Sequence, residues 1–431
     1  MENVKNQVRE WTQNHISKDF QFRENQLETI STIIYEKISG KSPHHIIQAP
    51  TGSGKSLINI ISAGVLWEYY QMKSYILCSD LFLYQQYVDF INKFDLEDFK
   101  YVKGQTGNYY CSKNKSDSRN SACKMAKVSY RKLMQIMNNE HKDKNNPNYK
   151  DLQHIAKIFP CIHNCLFLKE RLEAPLAPIT LMTYQLFYFQ MNICSDKFDT
   201  HGNMIPGQFE YRDFVFCDEC HNIPNIMQSR CRPTIQYDDF KKMLKIFNYY
   251  KSLKRDPNKV KVLAKINEKE IENRFQNYWK QMLDKTLDSY NNTILLLNYT
   301  HKLVDIVANI GERIQSMFGT KIRKGLELNQ KEKDIYNEIC WIQNYHCYLD
   351  DFCRAIELSG FHHTYKQINL GNIISFGTVK EDGIIYSFLL KFATKGTTLC
   401  SATLGDINSF IENCGYKHFE NNEFDPYANI A

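Results

Sequence analysis

The chain has 431 residues, 43% of them hydrophobic and 13% aromatic, with a formal net charge of +6. That length accommodates two or three domains, and that apolar content argues against a disordered chain. No run approaches the roughly 18 apolar residues of a membrane span, and Met1-Glu2-Asn3-Val4-Lys5 opens no apolar signal region, so a soluble chain that is not secreted is expected, in the cytoplasm, nucleoid or nucleus.

In such a reducing compartment the 14 cysteines are expected as thiols, so clusters among them point to metal rather than to disulfides. Taken in chain order, His45-Ile46-Ile47-Gln48 reads as a short strand and Leu57 to Lys73 as a helix. Between them Ala49-Pro50-Thr51-Gly52-Ser53-Gly54-Lys55-Ser56 has the form of a phosphate-binding loop. Gly52 and Gly54 let the backbone turn its N–H groups onto a phosphate chain. Lys55 can reach the β- and γ-phosphates, and the Ser56 hydroxyl can ligate Mg²⁺. The following helix adds its N-terminal partial charge at the same place. Ser74 to Cys78 reads as a second strand and residues 83–93 as a helix.

Residues 101–150 then hold eleven Lys or Arg against three Asp or Glu. This segment is either an electrostatic footprint for a polyanion or a solvated loop, the Asn/Lys-rich stretch 138–150 favouring the second. Cys111, Cys123, Cys161 and Cys165 fall in the same part of the chain. Four thiolates could hold a [4Fe–4S] cluster or a tetrahedral Zn²⁺, with His163 a candidate zinc ligand; free cysteines are also often plain buried apolar residues. The apolar run Ile179 to Met182 reads as a strand, and so does Phe214 to Cys217. The latter delivers Asp218 and Glu219 to a strand's C-terminal end, where ligands bind in open α/β sheets. Asp218 is expected to hold Mg²⁺ and Glu219 to orient and deprotonate an attacking water, with Lys55 the third catalytic candidate. Residues 223–375 are charged and helix-periodic, with stripes such as Ile294, Leu297, Leu303, Ile306, Val307 and Ile310, and later Ile335, Ile339, Ile342, Leu349, Phe352 and Ile356. Thr397 to Cys400 is the fifth strand candidate. Strands alternating with helices argue for an α/β doubly wound parallel sheet.

The order of these motifs resembles the XPD/DinG-like iron–sulfur helicases of superfamily 2, over nearly the whole chain. Phe20-Gln21-Phe22-Arg23-Glu24-Asn25-Gln26 resembles that family's adenine-reading segment, which implies that Gln26 reads the adenine edge with Arg23 in support. Lys103 to Cys111 is similar to the entry into the family's cluster domain, Ile179 to Leu186 to the return into the motor core, and Asp218-Glu219-Cys220-His221 to its second motif. Ser401-Ala402-Thr403-Leu404 looks like the third motif, so His221, Ser401, Ala402 and Thr403 are expected to couple nucleotide to DNA. The resemblance implies ATP, Mg²⁺ and a [4Fe–4S] cluster as cofactors, single-stranded or forked DNA as partner, and 5′-to-3′ translocation. It also implies a RecA-like P-loop fold in the order motor lobe (1–100), iron–sulfur domain (101–171), motor lobe (172–222), helical arch (223–375) and motor lobe with the start of a linker (376–431). Tyr101, Tyr109, Tyr110 and Tyr130 suit stacked bases beside a tracked strand, or a core.

The cysteine spacing departs from the XPD type toward the DinG type, and Thr183-Tyr184 stands where an Asn-containing pair is common. The family's second motor lobe, which carries arginines that complete the ATP site, has no counterpart motif in the sequence. A partner polypeptide or further segment carrying that lobe is therefore expected, with weak turnover by this chain alone. Two alternatives stay open: an RNA- or duplex-directed superfamily 2 ATPase, and a non-catalytic, nucleotide-gated DNA-binding or scaffold subunit.

Overall fold

The computed structural model describes residues 1–103, 135–136, 139–144, 149–158, 170, 173–193, 197–198, 204–205, 209–254, 277–278, 280–284, 290–323, 328–360, 364–369, 373–378, 380 and 382–416. In chain order its main elements are α1 (Glu2–His15), α2 (Gln26–Ser39), β1 (His45–Gln48), α3 (Lys55–Tyr70), β2 (Ser74–Cys78), α4 (Leu81–Lys93), β3 (Phe99–Tyr101), α5 (Tyr149–Ile158), β4 (Ile179–Thr183) and α6 (Tyr184–Ile193). There follow β5 (Lys197–Phe198), β6 (Met204–Ile205), β7 (Arg212–Asp218), α7 (Ile223–Arg230), β8 (Thr234–Gln236), α8 (Tyr237–Lys254), α9 (Tyr290–Arg323) and α10 (Gln330–Ser359). The last are β9 (Thr364–Asn369), β10 (Ile373–Thr378), α11 (Asp382–Phe388), β11 (Ala393–Ser401) and α12 (Ile407–Asn413).

Six strands form one parallel sheet in the order β1-β11-β7-β2-β4-β3. All five expected strands are in it. The sixth, β3, was not expected, because three residues are too few to display a period of two. Helices cover both faces, so the central strands are buried on both sides, which is why they read as unbroken apolar runs rather than as an alternation. Ile76 and Cys78 of β2, with Phe214 and Phe216 of β7, pack against α1 to α4 through Val8, Trp11, Ile30, Ile34, Ile61 and Tyr84. The intervening residues Tyr75, Leu77, Val215 and Cys217 point to the other face, onto a larger core shared with α6 to α11. The stripe residues Leu297, Leu303, Val307, Ile310, Ile339, Ile342, Leu349, Phe352 and Ile356 are buried in that second core. Among the described residues no helix is long and apolar enough to cross a membrane.

The stretch read as helical, 223–375, also contains strands. β8, β10 and β9 form a separate antiparallel sheet. Its central strand buries Ile374 and Phe376, two residues apart, and that short alternation is easily lost beside helices as long as α9 and α10. α10 begins with a capping box, in which Asn329 Oδ1 accepts from the Glu332 amide while Glu332 accepts from the Asn329 amide.

At the end of the sheet opposite the phosphate loop, the buried Arg212 side chain gathers five carbonyls. Its guanidinium donates to Ser74 O (2.7 Å), Pro178 O (3.1 Å), Ala174 O (3.3 Å), Pro175 O (3.5 Å) and Ala177 O (2.7 Å), and lies 4.2 Å from the Tyr75 ring centroid. The N-terminal ends of β2, β4 and β7 are thereby tied together. A second buried cation, Lys37 of α2, donates to Pro43 O (2.9 Å) and Thr397 O (3.1 Å) beneath β1 and β11.

Burial pulls the Lys37 ammonium down from 10.5 to about 7, against the pull of its carbonyl partners and of the Phe214 ring 4.5 Å away. The unfolded chain therefore binds this proton more tightly than the folded one does. By linkage, Lys37 penalises folding most below its folded pKa, and the penalty is relieved as pH climbs from about 7 to about 10.5. Urea midpoints across that range should rise more steeply for the wild type than for Lys37→Met; parallel curves would show that Lys37 does not titrate in the fold.

Candidate functional site

β1 runs into the loop 49–54 and then into α3, so the loop crosses the C-terminal edge of the sheet. Gly52 (φ +83°) and Gly54 (φ +88°) adopt left-handed backbone that other residues rarely occupy. At Gly54 space matters as well, since a Cβ there would lie 2.6 Å from Gln26 Nε2. The loop is pinned to the neighbouring strand where the Ala49 amide donates to Ser401 O at 3.0 Å. Pro50, Thr51 and Gly52 are exposed, while Ser53, Gly54 and Ser56 are half-buried. Lys55 is only 6% exposed, and its ammonium donates to Ala49 O (3.0 Å) and Pro50 O (3.3 Å) of its own loop, with Glu219 Oε1 at 3.9 Å.

The acidic pair arrives from β7. The Asp218 carboxylate is buried and held by three donors. Ser56 Oγ (2.7 Å) and Tyr87 OH (2.8 Å) donate to Oδ2, and the Glu219 amide donates to Oδ1 (2.9 Å). Asn59 Nδ2 of α3 donates to the same Tyr87 hydroxyl at 3.1 Å, and Tyr184 OH of α6 donates to the Asp218 carbonyl at 2.8 Å. Burial, with the Asp218 charge beside it, pushes the Tyr87 phenol well above its usual range, which keeps it a neutral donor. A serine hydroxyl and a carboxylate in direct contact form a hard-oxygen donor set, which suits Mg²⁺. Burial likewise raises the thiols of Cys78, Cys217, Cys220 and Cys400 around this carboxylate, so none of them is a ready nucleophile.

Glu219 itself sits at φ +51°, an uncommon backbone conformation for a residue with a side chain. Its carboxylate stays part-exposed, 3.2 Å from His221 Nδ1 through Oε2, and that same nitrogen stands 2.8 Å from Ser401 Oγ. The Thr403 amide donates to Ser401 Oγ at 3.3 Å. Glu219, His221, Ser401 and Thr403 thus form a continuous polar chain from the acidic pair to the end of β11; Ala402 is half-buried in the same turn and Thr403 is exposed. Gln26 is buried with its amide already engaged, Oε1 accepting from the Arg23 amide (3.2 Å) and Nε2 donating to Gly54 O (3.5 Å), while the Arg23 side chain is exposed. Gln26 in this structure therefore braces the phosphate loop. Cys111, Cys123, Cys161 and Cys165 lie outside the described residues.

Three functional side chains escape sequence reasoning: Tyr87, Asn59 and Tyr184. Only Asn59 leaves a trace, as an amide inside the apolar run Leu57-Ile58-Asn59-Ile60-Ile61 of a buried helix. Such a polar group needs a partner, and here the partner is Tyr87.

Residues 19–255, more than half of the chain, match the family described as type III restriction enzyme, res subunit. Among solved structures, one titled truncated XPD aligns with a TM-score of 0.40 and 12% identity, over 90% of this chain and 96% of that one. No curated protein matches the chain by sequence.

Tyr87→Phe should leave Asn59 one partner short and take one donor from the buried Asp218. An unfolding free energy lower by about 1–3 kcal/mol is expected in urea titrations, the usual range for a buried polar group left unsatisfied. Wild-type stability in this variant would place the Tyr87 hydroxyl outside the network.

Proposed function

Since the chain belongs to the type III restriction enzyme res subunit family, a helicase-type family of superfamily 2, we propose that it uses ATP hydrolysis to move along DNA. The observation that carries this reading is the convergence of Lys55, Ser56, Asp218 and Glu219 at one edge of the sheet, joined through His221 to Ser401.

The loop amides and the N-terminus of α3 bind the phosphate chain of ATP. Lys55, which donates to the carbonyls of Ala49 and Pro50, turns to the β- and γ-phosphates. Ser56 and Asp218 would hold Mg²⁺, which neutralises charge on the phosphates when bound. Glu219 orients a water onto the γ-phosphorus and takes its proton, as the bond from that phosphorus to the β–γ bridging oxygen breaks and ADP departs. Loss of the γ-phosphate changes what Glu219 faces. His221 touches both Glu219 and Ser401, and so transmits that change to β11.

Within this reading, single-stranded DNA is the track, the direction is 5′ to 3′, and Cys111, Cys123, Cys161 and Cys165 hold a [4Fe–4S] cluster. The support for these finer points is the order of the sequence motifs and the basic segment 101–150, whose charge suits a phosphate backbone.

ATP hydrolysis measured with and without single-stranded DNA tests the site. Lys55→Ala should abolish turnover, and Glu219→Gln should cut it by about 10²-fold or more, the size expected of a lost general base, while leaving ATP binding intact. Unchanged turnover in either variant would sink the assignment. Preferential stimulation by RNA or duplex would move the track to that polymer. For the cysteines, anaerobically purified Cys111→Ser should lose iron while still binding ATP; an unaltered iron content would remove Cys111 from the ligand set.

A further inference from the structure

The two longest helices among the described residues carry the same pair of residues at the same spacing, His301 and Asp305 on α9 and His346 and Asp350 on α10. Residues four apart share a helix face, so each helix presents an imidazole and a carboxylate one turn apart. The helices run antiparallel, as the Lys321–Glu332 and Asp305–His346 pairs show, and this sets each imidazole opposite the other helix's carboxylate. His301 Nε2 contacts Asp350 Oδ1 closely. Asp350 Oδ2 lies 3.6 Å from His346 Nδ1, and His346 Nε2 lies 3.3 Å from Asp305 Oδ1. One ligand atom from each of His301, His346 and Asp350 lies within 4.8 Å of the other two.

The framework around this cluster is fixed. Leu303, Val304, Val307, Ile342 and Leu349 are buried in the core beside it. Gly311 lets the helices approach, since a Cβ there would meet Ile339 Cγ2 at 2.8 Å. The cluster itself is part-exposed, with side-chain exposures of 30% for His301, 23% for His346 and 32% for Asp350, so an ion can enter from solvent.

Ion pairing alone is a weak reason for this arrangement, because pairs this exposed contribute roughly 0–1 kcal/mol. Ion pairing also engages only charged imidazoles, whereas neutral ones present two ring-nitrogen lone pairs beside the Asp350 carboxylate. A divalent ion accounts for the convergence by taking the lone pairs of two neutral imidazoles and one carboxylate oxygen. We propose that His301, His346 and Asp350 form a binding site for a divalent transition metal of the zinc class, which ties α9 to α10. Two ring nitrogens and one carboxylate suit zinc and disfavour calcium and magnesium, which take oxygen ligands. Asp305 accepts from His346 Nε2–H, which turns the Nδ1 lone pair toward Asp350 and the ion. Water completes the coordination. The site lies apart from the ATP-binding residues, and its test is independent of theirs.

The experiment uses the full chain, tag-free and stripped with chelator, titrated with Co²⁺ and then with Zn²⁺. The wild type should gain visible Co²⁺ d–d bands beyond any sulfur charge-transfer absorption that the cysteines give. It should bind one more equivalent of Zn²⁺ than His346→Gln or Asp350→Asn, and its thermal midpoint should rise on adding Zn²⁺ while theirs does not. Equal Zn²⁺ stoichiometry in the wild type and both variants overturns the proposal. Should the variants fail to fold, the wild-type spectrum decides alone: a spectrum carrying only thiolate bands, or no bands, overturns it.

Discussion

The buried carboxylate of Asp218 is the point on which the nucleotide end of the sheet depends. A carboxylate removed from water must be matched by donors or it loses its proton-free form. Here the donors come from several elements: Ser56 at the start of α3, Tyr87 on α4, and the Glu219 amide just beyond β7. Two of these are held in turn, Tyr87 by Asn59 and the loop preceding Ser56 by the Ala49–Ser401 contact. Satisfying one charge therefore fixes the relative placement of α3, α4 and β7, which is the geometry that a triphosphate and its cation require.

That dependence explains what the sequence could disclose. The loop 49–56 and the pair Asp218-Glu219 are legible because their chemistry demands particular residue types at fixed spacing along the chain. The four central strands β11, β7, β2 and β4 are legible because double-sided burial excludes charged residues from their inner positions. Tyr87 and Tyr184 are not, because a phenol on a helix looks the same whether it fills a core or donates to a carboxylate far away in sequence. Gln26 is a middle case. Its position ahead of the loop reads as adenine recognition, and the fold adds a contact that the position does not disclose, its amide spanning Arg23 and Gly54. A side chain's partners are a property of tertiary contact, and no local pattern encodes them.

The same limit applies to the region after the acidic pair. Long apolar stripes announce α9 and α10, and those residues are buried as the stripes imply. The small antiparallel sheet of β8, β10 and β9 is silent by comparison, since its pairing joins Thr234–Gln236 to residues near 373 across the whole helical stretch. The repeated His-x3-Asp pair is plain in the sequence once the helices are known. Its meaning arises only when the two copies face each other across an antiparallel pair.

The clamp built on Arg212 sits between the chain that leads into β4 and the nucleotide end of the sheet. Residues 174–178, which lead back into the sheet from the cysteine-bearing stretch, surrender four of their carbonyls to that one guanidinium at the far end of the strands from Asp218. Ala174, Pro175, Ala177 and Pro178 are held to the N-terminal ends of β2 and β7 before β4 begins. The chain thus re-enters the sheet through a fixed socket at the floor of the strands, a full strand length away from the distances that matter at the phosphate loop.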